Sequence, residues 1–166
     1  MCLALPKCTR VASSRANLRH PPPLPPRSSL AQAVAQALLS SWGHQRFIEH
    51  TQRVAQFYQR QRDVLEAAAH KHLSQAGLAS WVQPDTGMFL FIKLHLNKDG
   101  SAGDSMDVIR NKAVARGVLA VPGVGFSPSK SKSPYVRVSY SQITPELAEL
   151  AMTRLRDTIL EARGEL

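Results

Sequence analysis

Few residues in this chain have the type and setting that chemistry requires. Arg137 stands in Tyr135-Val136-Arg137-Val138-Ser139-Tyr140, an alternating run in which Val136 and Val138 face one side and Tyr135, Arg137 and Ser139 the other. A guanidinium on such a strand can offer a carboxylate a fork of two parallel hydrogen bonds, which fixes the plane of the carboxylate as well as its charge. The strand taken alone reads as that of an ordinary edge-strand arginine on a wet face. Lys130, in Ser127-Pro128-Ser129-Lys130, is the candidate amine nucleophile, yet it lies in a charged loop beside Lys132. A lysine there is solvated, whereas a catalytic amine needs burial. His70 and His72 are two apart on a helical pattern and diverge, so they make a poor metal pair. His95, near Asn97 and Asp99, reads as polar surface. The chain has no Gly-x-x-x-x-Gly-Lys, no Gly-x-Ser-x-Gly and no cysteine–histidine pair placed as nucleophile and base.

The elements that must position Arg137 are legible in outline. Ser28 or Ser29 caps a helix whose apolar positions Leu30, Val34, Leu38 and Trp42 recur every four residues, and Gly43 interrupts it. From His44 a second pattern (Phe47, Ile48, Thr51, Val54, Ala55, Tyr58, Val64, Leu65, Ala68, Leu73) runs to Gly77, which suits a helix stop. At 1.5 Å per residue this helix is about 45–50 Å long, more than so small a domain needs for its own core. It is expected to bridge to something else. Trp81-Val82-Gln83 and Met88 to Leu94 read as strands of a hairpin about the turn Pro84-Asp85-Thr86-Gly87. His95 to Gly103 reads as a loop, and Asp104 or Ser105 caps a helix that Arg116-Gly117 closes. Val118 to Val121 reads as a buried strand ended by Pro122. A Gly/Ser/Pro/Lys loop over 122–134 precedes the Arg137 strand, with Pro122, Gly123 and Phe126 shaping it and Gly123 allowing a turn. Thr144, Pro145 and Glu146 open a last helix to about Ala162. The order α-α-β-β-α-β-β-α describes an α+β fold, a small, mostly antiparallel sheet packed against helices and preceded by a long helix.

Length and composition allow one compact domain: 166 residues, 43% hydrophobic and 20% charged. No apolar run approaches the roughly 20 residues that cross a bilayer, so no membrane role is expected. The formal charge of +9 invites a nucleic-acid reading, but residues 1–48 hold Lys7, Arg10, Arg15, Arg19, Arg27 and Arg46 with no acid. The remainder is nearly balanced, with signs interspersed along the helices, and no nucleic-acid partner is expected. Cys2 and Cys8, the only cysteines, both lie in that basic segment and form no zinc pattern, which fits a reducing compartment. Residues 1–28 are expected to be a disordered, basic, Pro-rich leader, with residues 29–166 forming the folded region. The placement expected is cytoplasmic; the acid-free Arg/Ser/Ala leader leaves a mitochondrial one as the alternative, although Pro21 to Pro26 suits a presequence helix poorly.

Three segments carry a resemblance: Pro84-Asp85-Thr86-Gly87-Met88-Phe89-Leu90-Phe91, Gly117-Val118-Leu119-Ala120-Val121-Pro122-Gly123-Val124-Gly125-Phe126, and Ser133-Pro134-Tyr135-Val136-Arg137-Val138-Ser139-Tyr140-Ser141. In this order and at these separations they resemble the C-terminal small domain of class I, fold-type I aminotransferases dependent on pyridoxal phosphate. With Tyr58-Gln59-Arg60-Gln61-Arg62-Asp63 they are most similar to the kynurenine, 2-aminoadipate and aromatic amino-acid branch. The likeness covers about residues 29–166, and three segments in register are far more specific than one.

The resemblance implies transfer of an amino group between an amino acid and a 2-oxo acid, in a homodimer, with Arg137 binding the substrate α-carboxylate. It places at Phe89 an aromatic residue that touches the substrate side chain; core packing remains the other reading, since Met88, Leu90 and Phe91 make that strand hydrophobic on both faces. The Schiff-base lysine, the acid beside the pyridinium nitrogen and the phosphate cradle belong to the family's large domain, for which the sequence before residue 29 has no room. Catalytic and cofactor-binding residues are therefore expected to be missing, and the chain to be inactive alone. Ser127-Pro128-Ser129-Lys130 is superficially similar to the family's Ser-x-Ser-Lys around that lysine, but it lies between the second and third segments rather than ahead of them. The alternative function is a non-catalytic module that grips a carboxylate or a protein through Arg137. A third is nucleic-acid or membrane-surface binding through the basic leader.

Overall fold

In the computed structural model of the chain the described residues are 29–98 and 103–166. The expectations for the leader, including its disorder and its two cysteines, lie outside them. The chain divides into two compact units, Met1–His44 and Gln45–Leu166. In the first, the described residues are helical, and Leu30, Val34 and Leu38 are exposed.

Helix α1 is assigned over Ser29–Ala69, with a break at Gly43, where φ is 64° and ψ is 179°. It runs on into the π-helical segment His70–Ser74, and the chain turns at Gly77. Both predicted glycine stops are of one kind. At Gly77, φ 65°, Gly77 N donates to Ser74 O and Leu78 N to Leu73 O; at Gly117, φ 74°, Gly117 N donates to Val114 O and Val118 N to Ala113 O. This pairing satisfies the last carbonyls of a helix and needs the left-handed conformation that glycine adopts without strain.

The second unit is an antiparallel sheet with helices on one face. Strands β1 (Ala79–Trp81), β2 (Phe89–Leu94), β3 (Val121–Pro122) and β4 (Tyr135–Ser139) lie in the order β1-β2-β4-β3. Register pairs Ile92 with Trp81 on one side and Val136 on the other, and Arg137 with Phe91 on β2 and Val121 on β3. Alternation places Leu90, Ile92, Leu94, Val136 and Val138 on the buried face. They share one core with Leu65, Ala68 and Leu73, with Ile109 and Ala113, and with Met152, Leu155 and Ile159. Those last three belong to α3, Pro145–Arg163, whose start is capped as predicted, the Thr144 side chain accepting from Leu147 N. Helix α2, Ser105–Asp107, is capped by Asp104 and continues as π-helical Val108–Ala113.

Two strand assignments need correction. The first hairpin strand is Ala79–Trp81 and not 81–83, because the amides of Gly77 and Leu78 close the preceding helix and pairing begins directly after them. The expected buried strand Val118–Val121 is reduced to Val121–Pro122: the Val118 amide is committed to Ala113 O as part of the helix cap, and Leu119 is 82% exposed. Pro122 is the last residue of β3, so the strand ends there as expected. At the sheet edge its missing N–H costs no ladder bond. Gly123 is needed for space rather than for a turn, since a Cβ there would come within 2.5 Å of Ser133 Oγ and 2.8 Å of Tyr135 O.

At the helical side of the fold, Glu149 of α3 accepts from Lys71 and contacts His72. These bonds, the one with His72 foremost, hold its carboxyl below its ordinary value of 4.5. A carboxyl with a depressed folded-state pKa contributes stability above its unfolded value, and that contribution disappears as pH falls through the folded value. Between about pH 5 and 3 the wild-type chain should therefore lose more stability than Glu149→Gln. Denaturant midpoints across that range check this, and equal losses would mean that the contacts do not hold in solution.

Candidate functional site

The sheet face turned away from the helices carries the site. Tyr135, Arg137 and Ser139 of β4 stand on it with Phe89 and Phe91 of β2. Behind β3 the chain forms a single 3-10 turn, Gly123–Phe126, and Phe126 reaches the same group. The Arg137 guanidinium carbon lies 4.2 Å from the Phe89 ring centroid and 4.5 Å from that of Phe126. Phe91 meets Phe126 edge to face, with centroids 5.3 Å apart at 71°. Arg137 is half-buried. Among the described residues no carboxylate, carbonyl or hydroxyl accepts a hydrogen bond from its guanidinium, which carries five donors. A cation gripped through aromatic contacts, with its hydrogen-bonding capacity unspent, is equipped to take an oxyanion.

Of the two residues singled out from sequence, Arg137 is thus on this face and Phe89 is beside it, 38% exposed and outside the core. Phe126, assigned to loop shaping, was missed as part of the group, as was Phe91. Their signal was only partial: Phe89 and Phe91 share a parity, whereas a one-turn helix has no period to read.

The other candidates separate from it. Lys130 is exposed, with φ of 50°, beside a cleft of about 360 Å³ that Met106, Arg110, Pro122 and Ser127 also line. His70 packs against the Trp81 ring, and His72 is engaged by Glu149. His95 contacts Ser80 Oγ and Gly77 O, and its own carbonyl accepts from Arg163, so its role is to tie the hairpin to the end of α3. No group of three or more potential metal ligands occurs among the described residues.

A second cleft, of about 420 Å³, lies where α1 meets the hairpin turn and is lined by Tyr58, Gln59, Arg62, Asp85, Thr86 and Tyr140. Arg62 joins the two segments by donating to Pro84 O at 3.0 Å while its other nitrogens hold Asp63. The hydrogen bond to Asp63 raises its pKa further. Burial pushes the Tyr140 hydroxyl above its ordinary range, against the opposing effect of Arg62.

Known proteins share this fold. The bovine (Bos taurus) mitochondrial kynurenine/alpha-aminoadipate aminotransferase is 40% identical over 136 residues, which are 81% of this chain and 30% of that protein. The chain belongs to the aminotransferase family. The multiple substrate aminotransferase of Thermococcus profundus superposes over 81% of this chain and 31% of its own, with TM-score 0.67 and 25% identity. The kynurenine aminotransferase of Pyrococcus horikoshii, a structure described as a complex with PMP, KYN and KYA, matches 68% of this chain and 26% of its own, with TM-score 0.58 and 26% identity. No family model matches. This aminotransferase chain spans about 30% of the length of the curated relatives it matches.

Aminotransferases use pyridoxal phosphate, which needs a buried amine to hold its aldehyde carbon and a cradle for its phosphate. None of the described lysines, Lys71, Lys93, Lys98, Lys112, Lys130 and Lys132, is buried. The described residues do not fit the cofactor.

Proposed function

We propose that this chain supplies the carboxylate-binding part of a pyridoxal-phosphate-dependent aminotransferase that moves an amino group between an aromatic, kynurenine-type or 2-aminoadipate-type amino acid and a 2-oxo acid. Arg137 binds the substrate α-carboxylate, and Phe89 packs against the apolar part of the substrate. The observation that carries this reading is the half-buried Arg137 guanidinium, contacted by two phenyl rings and by no acceptor among the described residues. The likeness to kynurenine/alpha-aminoadipate aminotransferases supports the substrate class.

Residues 29–166 act as the small domain with its connecting helix, and residues 1–28 as a basic leader. The exposure of Phe47, Val54 and Phe57 along α1 supports a role for that helix in docking on the rest of a longer enzyme, which works as a homodimer. No helix among the described residues is long and apolar enough to cross a membrane. Cytoplasmic placement is the working assignment, and the mitochondrial relative supports the alternative. Imaging a C-terminally tagged chain separates the two.

The 166-residue chain by itself should retain no visible absorbance from pyridoxal phosphate after desalting, and should not transaminate. Retained absorbance abolished by Lys130→Ala would place the cofactor amine in the 127–134 loop and defeat the assignment. The alternative, a module that holds a carboxylate without chemistry, shares the Arg137 site. It is favoured if a longer enzyme carrying residues 29–166 binds amino acids through Arg137 yet turns none over.

A further inference from the structure

We infer that Phe126 is a positioning residue for Arg137, fixing the guanidinium so that its hydrogen-bonding edge stays open to a carboxylate. This deepens the proposed function and rests on Arg137 being the carboxylate ligand.

An arginine side chain has large rotamer freedom, and a binding fork must be held in one place to be useful. Positioning by an acidic side chain would occupy the fork and cancel its charge. Among the described residues none does so. Contacts to aromatic faces are the mode that spends no N–H donor, and both rings near the Arg137 guanidinium supply it. Phe89 comes from the adjacent strand, two residues along from the Phe91 that sits opposite Arg137. Phe126 comes from outside the sheet, so its placement depends on how its turn is anchored.

That anchoring is visible. The 3-10 turn starts at Gly123, packed so close to Ser133 and Tyr135 that a Cβ would collide with them. Ser127 N closes the turn on Val124 O at 3.3 Å, and Phe91 braces the Phe126 ring edge-on. Ser105 Oγ donates to Tyr135 O at 2.8 Å and Ser105 N to Ser133 O at 2.9 Å, tying the start of β4 to α2 beside the same turn. Phe126 is 43% exposed despite this framework. An aromatic side chain kept at the surface by a braced turn, over the Arg137 guanidinium, is placed for the guanidinium rather than for the core.

The test is arginine side-chain NMR on the 166-residue chain, with phenylacetate as the carboxylate probe and 2-phenylethanol as its uncharged control. The Arg137 Nε–Hε signal, identified by its absence in Arg137→Lys, should be shifted upfield by the rings and should move on adding phenylacetate but not 2-phenylethanol. Phe126→Leu keeps apolar bulk and removes the π face. It should return the signal toward that of a free arginine and weaken phenylacetate binding about 3- to 10-fold, with core amide signals unchanged. Phe126→Trp, the better cation partner, should increase both the shift and the affinity, and it serves as the test if the leucine variant fails to fold. If Phe126→Leu, or Phe126→Trp in its place, leaves signal and affinity as in the parent while Arg137→Ala abolishes binding, the positioning role is overturned and the carboxylate reading stands. If Arg137→Ala leaves phenylacetate affinity unchanged, the carboxylate reading falls, and this inference with it.

Discussion

Replacing Arg137 by alanine should lower kcat/KM for an α-amino acid by about 30- to 1000-fold in an aminotransferase whose C-terminal segment is residues 29–166, and leave the corresponding decarboxylated amine nearly unaffected. Removing the guanidinium strips the substrate carboxylate of a charged partner in a partly dry site, a loss of about 2–4 kcal/mol of transition-state binding. Each 1.4 kcal/mol is a factor of ten, which gives the range stated. The protein itself should notice the change little, because the Arg137 guanidinium makes no hydrogen bond or ion pair with a described residue and the two ring contacts are all it gives up. Arg137→Lys should recover only part of the loss, since an ammonium is a point charge and cannot reproduce a planar two-bond fork. The measurement is kcat/KM for an amino acid and its amine in all three backgrounds. Equal losses for both substrates would mean that Arg137 supports the fold instead of binding the carboxylate.

How far such a site is legible without coordinates depends on whether its parts lie on periodic elements. The alternation in Tyr135–Ser139 was enough to put Arg137 opposite Val136 and Val138, because one face of a strand beside helices must be apolar. The same rule puts Phe89 and Phe91 together, but a run as hydrophobic as 88–94 hides which face is buried until the neighbours of the strand are known. Phe126 had no such rule. Its position follows from a one-turn helix, from a glycine required for space, and from a proline allowed only because β3 is an edge. Each of these is a tertiary fact. The misread strand at 118–121 has the same origin: an apolar run looks like a buried strand, yet Val118 is the hydrophobic residue that completes a helix cap and Leu119 is turned to solvent. Local chemistry identified the cap at Gly117, and the competing reading of the run overrode it one residue too early.

The two faces of β2 should separate cleanly in stability. Ile92→Ala is expected to cost about 2–5 kcal/mol, and Phe89→Ala about 1 kcal/mol or less, although phenylalanine loses more surface on truncation. Ile92 is fully buried between Trp81 and Val136, beneath the helices, so its deletion leaves a cavity that strands paired on both sides cannot close. Phe89, three residues away on the same strand, gives up a contact with Arg137 and surface that water already reaches in part. A domain of this size has only about 5–15 kcal/mol in total, so the first change takes it toward unfolding and the second does not. Urea unfolding of the 166-residue chain followed by circular dichroism measures both, with equal slopes for the comparison to be valid. The functional order should be the reverse: in the longer enzyme Phe89→Ala impairs turnover of aromatic substrates more than its stability loss accounts for, whereas Ile92→Ala acts only through the amount of folded protein. A Phe89→Ala cost as large as that of Ile92→Ala would place Phe89 in the core after all, and would leave Phe126 as the ring over the Arg137 guanidinium.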